Sequence, residues 1–251
     1  MLSKRGAKWA AAALATSLPF LLTACSAADQ TAWNRGLLPG EVDAQGNGVT
    51  NHTATIVKLW TDSWAVLWGV GIIAWAIMVY ALIAYRRRKG DNTPPPQLRY
   101  NNPIETLFTV VPLILVVGFF AYTARDIQAI ETPTANPDVK IEVIGKQWAW
   151  DFNYLDSNVY SPGVQAETIA GGGVDEDELP VLYLPVGKRV EINVESRDVI
   201  HSFWVPQFLF KMDVIPGKTN AFELTPDKIG TYAGKCAELC GVDHSRMLFN
   251  V

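Results

Sequence analysis

The stretch Cys236-Ala-Glu-Leu-Cys240-Gly-Val-Asp-His244-Ser-Arg-Met247 places two cysteines, a histidine and a methionine within one short segment. Three chemistries fit parts of it. A disulfide between Cys236 and Cys240 suits an oxidising compartment. It would close a loop too short to stabilise much, however, and it gives His244 and Met247 no part. A structural zinc site takes two cysteines and two histidines and has no use for a thioether at fixed spacing. Copper uses every residue type present, because soft thiolate and thioether donors with imidazole on a β-sandwich are its expected set. A mononuclear blue-copper ion needs one cysteine, whereas two allow both sulfurs to bridge a pair of ions. Each ion then needs a histidine. The second is His201, in Asp198-Val-Ile-His201-Ser-Phe-Trp204, since such sandwiches take one ligand from an earlier strand and the rest from a late loop. His52, the remaining histidine, reads as an exposed linker residue.

The surroundings of this segment read as β-structure. After Thr123 the pattern becomes short alternating runs broken by Pro and Gly, and strands are expected over residues 139–144, 181–184, 190–194, 221–224 and 231–233. Pro185-Val-Gly187, Pro216-Gly217 and Pro226-Asp-Lys-Ile-Gly230 supply turns. No segment after Ile130 has helical periodicity, so an antiparallel sandwich or barrel is expected. Gly171-Gly-Gly173 leading into Asp175-Glu-Asp-Glu178 is a solvated loop insert to which no function is assigned.

Upstream the chain is of another kind. Residues 64–84 carry no charge, and about twenty apolar residues suffice to cross a bilayer as a helix. Arg86, Arg87, Arg88 and Lys89 follow at once, a stop-transfer cluster that belongs in the cytoplasm. A polar turn with Pro94-Pro-Pro96 separates them from a second apolar run over residues 104–122. Pro112 within that run is tolerable in a membrane helix. Glu105 lies one residue inside the run, near its cytoplasmic end. A carboxylate there is either snorkelling at headgroup level or functional. At the start of the chain Lys4, Arg5 and Lys8 precede an apolar stretch too short to span comfortably, which leads into Leu22-Thr-Ala-Cys25. This resembles a bacterial lipoprotein signal, with Cys25 lipidated and becoming the first mature residue. One lipid attaches only reversibly and would supplement the helices. Both termini are therefore expected outside the cytoplasm. The boundaries read from this are residues 1–24 as signal peptide, 25–55 as an extracytoplasmic linker, 56–124 as a two-span hairpin (spans about 62–85 and 104–124, cytoplasmic loop 86–103) and 125–251 as an exported domain.

The whole chain is 49% hydrophobic and has a formal net charge of -4. From Arg125 onward there are 11 Lys/Arg against 19 Asp/Glu, a net of -8. An acidic exported half favours a basic partner and argues against nucleic acid.

With these parts in place the chain resembles subunit 2 of the haem–copper cytochrome c oxidases, the family that carries the dinuclear copper centre CuA. The resemblance runs from residue 56 to the end. It rests on Gln147-Trp148-Ala-Trp150, Asp198-Val-Ile-His201-Ser, Ile215-Pro-Gly217 and the Cys236 to Met247 segment. It implies a two-helix transmembrane hairpin followed by an all-β cupredoxin domain, a Greek-key β-sandwich. It further implies that Cys236 and Cys240 bridge two copper ions, that His201 and His244 each complete one, and that Met247 and the main-chain carbonyl of Glu238 are weak ligands. The Glu238 carboxylate would hold a magnesium or manganese ion shared with subunit 1. Trp148 matches the family's residue where electrons arrive, and Trp150 reads as core. Glu105 matches a carboxylate at the mouth of a proton channel in subunit 1. The implied activity is electron transfer from cytochrome c, or a cytochrome c domain of a respiratory supercomplex, to haem in subunit 1, where oxygen is reduced and protons are moved. The implied location is a bacterial cell membrane, among the other oxidase subunits. Acidic residues near Trp148, Asp198 among them, would dock a basic cytochrome.

Two departures stand out. Lys146 precedes Gln147 where the family often has histidine, and the chain ends four residues after Met247, where members usually continue through a final strand and a tail. Three other readings compete. A membrane-anchored copper-delivery protein favours an exposed, exchangeable mononuclear site. A copper-free quinol-oxidase relative lacks the ligands. A nitrous oxide reductase needs a large propeller domain for which there is no room.

Overall fold

The computed structural model describes residues 38, 42–43, 47–87, 89–90, 93–94, 97, 99–169, 172–175 and 177–251. The signal peptide and lipidation site expected at residues 1–24 and Cys25 lie outside the described residues, as do Arg88 and Glu176. The chain divides into two compact units, one formed by Lys58–Glu131 and the other by Thr132–Val251 with the described residues up to Val57.

The first unit is helical. Helix α1 spans Thr53–Ala84 and α2 spans Asn102–Glu131, and both are long and apolar enough to cross a membrane. Their apolar surface is largely uncovered within the chain: Leu82 is 74% and Phe120 71% exposed. Such surface belongs against lipid or other apolar helices, where exposing it to water would be costly. At one end the helices are joined by polar groups. Asp62 of α1 accepts from the Tyr122 hydroxyl of α2 at 2.7 Å and pairs with Lys58, whose ammonium also reaches the Tyr122 oxygen at 3.2 Å. At the start of α2 the Asn101 side chain accepts from the Ile104 amide (3.4 Å), and Glu105 Oε1 accepts from the Asn101 amide (2.9 Å). This reciprocal cap satisfies donors that the first helical turn leaves free.

The second unit is a sandwich of nine strands. They are β1 (Val139–Lys146), β2 (Ala149–Tyr154), β3 (Val159–Ser161), β4 (Val190–Ser196), β5 (His201–Val205), β6 (Phe210–Val214), β7 (Asn220–Leu224), β8 (Ala233–Cys236) and β9 (Leu248–Asn250). One sheet runs β3-β2-β1-β4-β7 and the other β6-β5-β8-β9. Among the strands of the described residues, β1 and β4 pair in parallel and the other ladders are antiparallel. The chain changes sheets between β4 and β5, between β6 and β7, and between β7 and β8. Alternation explains β1 and β4: Ile141, Val143, Val190, Ile192 and Val194 point inward and are fully buried. Between the sheets Trp150 meets Phe203 and Phe249 edge-on, each at 5.7 Å, and Phe203 stacks on Phe249 at 4.9 Å. Trp150 is thus core, as its sequence context suggested.

Several expectations need correction. Residues 181–184 do not form a strand; Val181 makes a single bridge to Asn250. Pro180 and Pro185 flank the segment, and neither has an amide hydrogen to extend a ladder. The strand expected at 231–233 starts at Ala233 instead, although Tyr232 exchanges both backbone hydrogen bonds with Val251 at 2.8 Å. His52 is not an exposed linker residue: it is half-buried, with Nε2 on the Glu223 carbonyl at 2.8 Å. Beside it Val49 enters the sandwich core and Asn51 pairs with Thr225. After Met247 a three-residue strand, β9, does form and closes the second sheet against β8.

Candidate metal centre

The segment opened by Cys236 is a loop pinned at its base. Cys236 ends β8 in register with Phe203 of β5, and its amide donates to the Met247 carbonyl at 3.1 Å. Within the loop the His244 amide bonds Gly241 at 3.2 Å, and His244–Arg246 form a single 3-10 turn. Gly241 has φ +129, a conformation that other residues rarely adopt. A side chain there would also lie 2.9 Å from Trp148 Nε1.

This folding brings donor atoms together. The Cys236 and Cys240 sulfurs are 3.8 Å apart and both cysteines are free. The disulfide reading therefore does not hold for this structure, since a bridge requires about 2.05 Å. His201 Nδ1 lies 3.9 Å from the Cys236 sulfur, His244 Nδ1 lies 3.4 Å from the Cys240 sulfur, and Met247 Sδ lies 3.8 Å from the same sulfur. The ligand atoms of His201, Cys236 and Cys240 all fall within 4.8 Å of one another. The Glu238 carbonyl accepts from the Cys236 thiol at 3.2 Å, so it faces the cluster as well. Two thiols, two imidazoles and a thioether close together fit copper better than zinc, which would leave Met247 without a part. The Glu238 carboxylate is turned elsewhere, accepting from the Leu239 amide at 3.2 Å. Glu105 lies in α2 of the other unit, capping its own helix.

The ligands are held from outside. His201 is fully buried and its far nitrogen, Nε2, is 2.8 Å from Asp198 Oδ1, which leaves Nδ1 for the cluster. Asp198 Oδ2 accepts from the Gln147 amide at 2.7 Å. Its carboxylate is therefore engaged with the site, a role that spacing did not reveal. Gly145 of β1 lets the His201 ring approach, since a Cβ there would sit 3.0 Å from its Cδ2. Beneath, the Trp150 ring meets His201 at 6.0 Å and its Nε1 donates to the Met247 carbonyl at 3.4 Å. Trp148 is half-buried in the turn between β1 and β2, after a cis Gln147–Trp148 peptide. Its Nε1 donates to the Cys240 carbonyl at 3.2 Å, and Gln147 Nε2 donates to the same oxygen at 2.8 Å.

Electrostatics follow the packing. Burial opposes charging His201, but Cys236 and Asp198 outweigh it and raise its pKa above the ordinary value. Burial likewise opposes ionising Asp198, yet His201 and the Gln147 amide hold its carboxyl below the usual range. Cys236 is drawn below the ordinary cysteine value: burial opposes this, but the His201 imidazole prevails. Burial and the neighbouring Cys236 sulfur push Cys240 up to about 12. Without a metal the two sulfurs cannot readily both be anions, which is the condition a bound cation reverses.

Comparison with known proteins agrees with this arrangement. The profile of the family described as "Cytochrome C oxidase subunit II, periplasmic domain" matches residues 139–251. A "Probable cytochrome c oxidase subunit 2" of Streptomyces avermitilis is 45% identical over 230 residues, covering 81% of this chain and 72% of the relative. The "Cytochrome c oxidase subunit 2" of Mycobacterium tuberculosis is 30% identical over 289 residues, covering 96% of this chain and 77% of the relative. Among solved structures, the periplasmic domain of subunit II of cytochrome oxidase (CoxB) of Bradyrhizobium japonicum is 35% identical. It covers 47% of this chain and 85% of its own, with a TM-score of 0.40. Two long apolar helices, a β-sandwich with a soft-donor cluster, and the relatives at 45% and 30% identity place the chain in the cytochrome c oxidase subunit 2 family, a subunit of a haem–copper oxidase.

Proposed function

We propose that the chain is the electron-accepting subunit of a membrane-bound respiratory oxidase, taking electrons from cytochrome c, or a cytochrome c domain, and delivering them to the haem-bearing subunit 1. There oxygen is reduced to water and protons are translocated. The observation that carries the reading is the pair of free sulfurs 3.8 Å apart, each with an imidazole nitrogen beside it and one with a thioether. A dinuclear copper centre bound by Cys236, Cys240, His201, His244, Met247 and the Glu238 carbonyl would supply one-electron chemistry with the charge shared by two metals.

The chain's own residues supply the rest. Asp198 orients His201 from behind, and the core ring of Trp150 backs both His201 and Met247. A donor set fixed in this way changes little when charge arrives, which favours fast transfer. Trp148 is the residue where electrons come in, because its indole is half-exposed and bonds directly to the carbonyl of a ligand residue. Glu238 is assigned to a magnesium or manganese ion shared with subunit 1, Glu105 to the mouth of a proton channel, and Cys25 to lipidation. Each has its own readout: loss of bound manganese in Glu238→Gln, slowed proton uptake in Glu105→Gln, and a lipid mass on the peptide bearing Cys25. The sandwich is assigned to the outer face of a bacterial cell membrane, a reading supported by the basic residues 86–89 between the two apolar helices.

Electron paramagnetic resonance of the purified, copper-loaded complex tests the central claim. A seven-line copper hyperfine pattern is expected from an electron shared by two ions. A four-line pattern would mean a single ion and favour a copper-binding or delivery protein instead. Co-purification with a haem-containing subunit is the second expected result, and a copper protein that leaves the membrane alone would count against an oxidase.

A further inference from the structure

One buried charge in the sandwich takes no part in the scheme above. Asp151 of β2 has a side chain that is 0% exposed, and four donors from four places surround it. Oδ1 meets Lys146 Nζ at 2.6 Å and the Gly163 amide at 2.8 Å; Oδ2 meets the Tyr160 hydroxyl at 2.7 Å and Arg197 Nη1 at 3.3 Å. Burial opposes its ionisation, but Lys146, Gly163 and Tyr160 together hold the carboxyl below the usual range. A carboxylate so fully partnered anchors whatever its partners belong to.

Its two cations are placed tellingly. Lys146 is the residue before Gln147 and Trp148, and Arg197 is the residue before Asp198. The two turns they open meet directly, through the Gln147 amide on Asp198 at 2.7 Å and the Arg197 amide on the Gly145 carbonyl at 3.0 Å. One turn carries the indole that bonds Cys240, and the other leads to His201. Both cations keep part of their surface in solvent, Lys146 at 29% and Arg197 at 51%, so without the carboxylate each is free to turn outward. The metal ligands do not depend on it in the same way. His201 is held by Asp198 and by the β5 ladder, and the loop after Cys236 is pinned at its own base.

We propose that Asp151 is a positioning residue for electron arrival: it clamps the Lys146 turn to the Arg197 turn and so keeps Trp148 seated on the Cys240 carbonyl. The inference rests on the reading of Trp148 and of the copper pair given above. It predicts a defect in how fast electrons come in, with the centre itself intact.

The test uses the whole oxidase complex carrying D151N, R197Q or the pair D151N/K146Q. In D151N the maximal rate of reduction by a reduced c-type cytochrome should fall severalfold. The donor's KM, the seven-line copper signal and the rate with a small phenylenediamine reductant should stay as in the wild type. R197Q removes one of the four partners and should show a smaller fall of the same kind, which keeps the proposal testable if D151N fails to assemble. D151N/K146Q restores the local net charge without restoring the clamp, so the defect should persist. Recovery in that pair, or a defect that appears only in KM and vanishes at high salt, would reduce Asp151 to surface electrostatics and overturn the proposal. An unchanged rate in R197Q and D151N, or an altered copper signal, would overturn it as well. A wild-type complex without the seven-line signal would instead remove the reading on which it rests.

Discussion

At the scale of single residues, the donor atoms of the candidate centre were legible because their chemistry is rare. Soft sulfur donors and imidazoles at close spacing have few uses, and Cys236, Cys240, His244, Met247 and the distant His201 do converge. The residues that hold them were not legible, because their partners are remote in sequence. Asp198 was read as a docking acid, yet its oxygens go to His201, Gln147 and Val199. An ordinary carboxylate shows no spacing signature for such a role. Its consequence is measurable. Asp198→Asn keeps the shape but removes the charge that orients the imidazole, and support of this kind is worth about 10- to 100-fold in metal affinity. Competition with a copper chelator should show a loss of that size, and unchanged affinity would mean that His201 is held by packing alone.

At the scale of elements, alternation decided what could be seen. The strands β1, β4 and β7 were recognisable because one face is apolar. β2 and β5 were not, since Ala149 through Phe152 and His201 through Phe203 are buried at every position and so present no period-two pattern. These unreadable strands carry Trp150, Asp151 and His201. The elements most occupied with the site are therefore the ones whose sequences least resemble ordinary strands. The contact between β1 and β5 gives the prediction at this scale. In Gly145→Ala the new methyl would press on the His201 ring at 3.0 Å, in a core with little room to yield. Overpacking of this kind costs about 1–3 kcal/mol. A lowered denaturation midpoint accompanied by a shifted copper spectrum is the expected outcome, and a variant matching the wild type in both would show that the ring can move aside.

At the scale of the whole molecule, the division into a helical unit and a β unit was readable from hydropathy, because an uncharged run and an alternating one differ over tens of residues. The exact limits were not. Helix α2 runs on to Glu131, beyond the apolar run that ends at Tyr122, and residues 49–52 join the sandwich instead of linking to it. Sidedness is the matching prediction. In intact cells a membrane-impermeant thiol reagent should label a cysteine substituted for Asp175, and should leave one substituted for Gly90 untouched until the membrane is opened. The positive charges at residues 86–89 dictate that order. Labelling of both from outside would refute the two-span topology.

The hydrogen bond from Trp148 to the Cys240 carbonyl has a meaning beyond its length. Trp148 sits on the turn between two strands of one sheet, whereas His201, Cys236 and the loop through Met247 belong to the other. The indole thus touches the ligand loop across a seam between two layers. On the reading of Trp148 proposed above, relative movement of the layers would change how readily charge crosses, so the first-sheet packing of Gly145 and Trp150 against His201 bears on conductance as well as on holding a ligand.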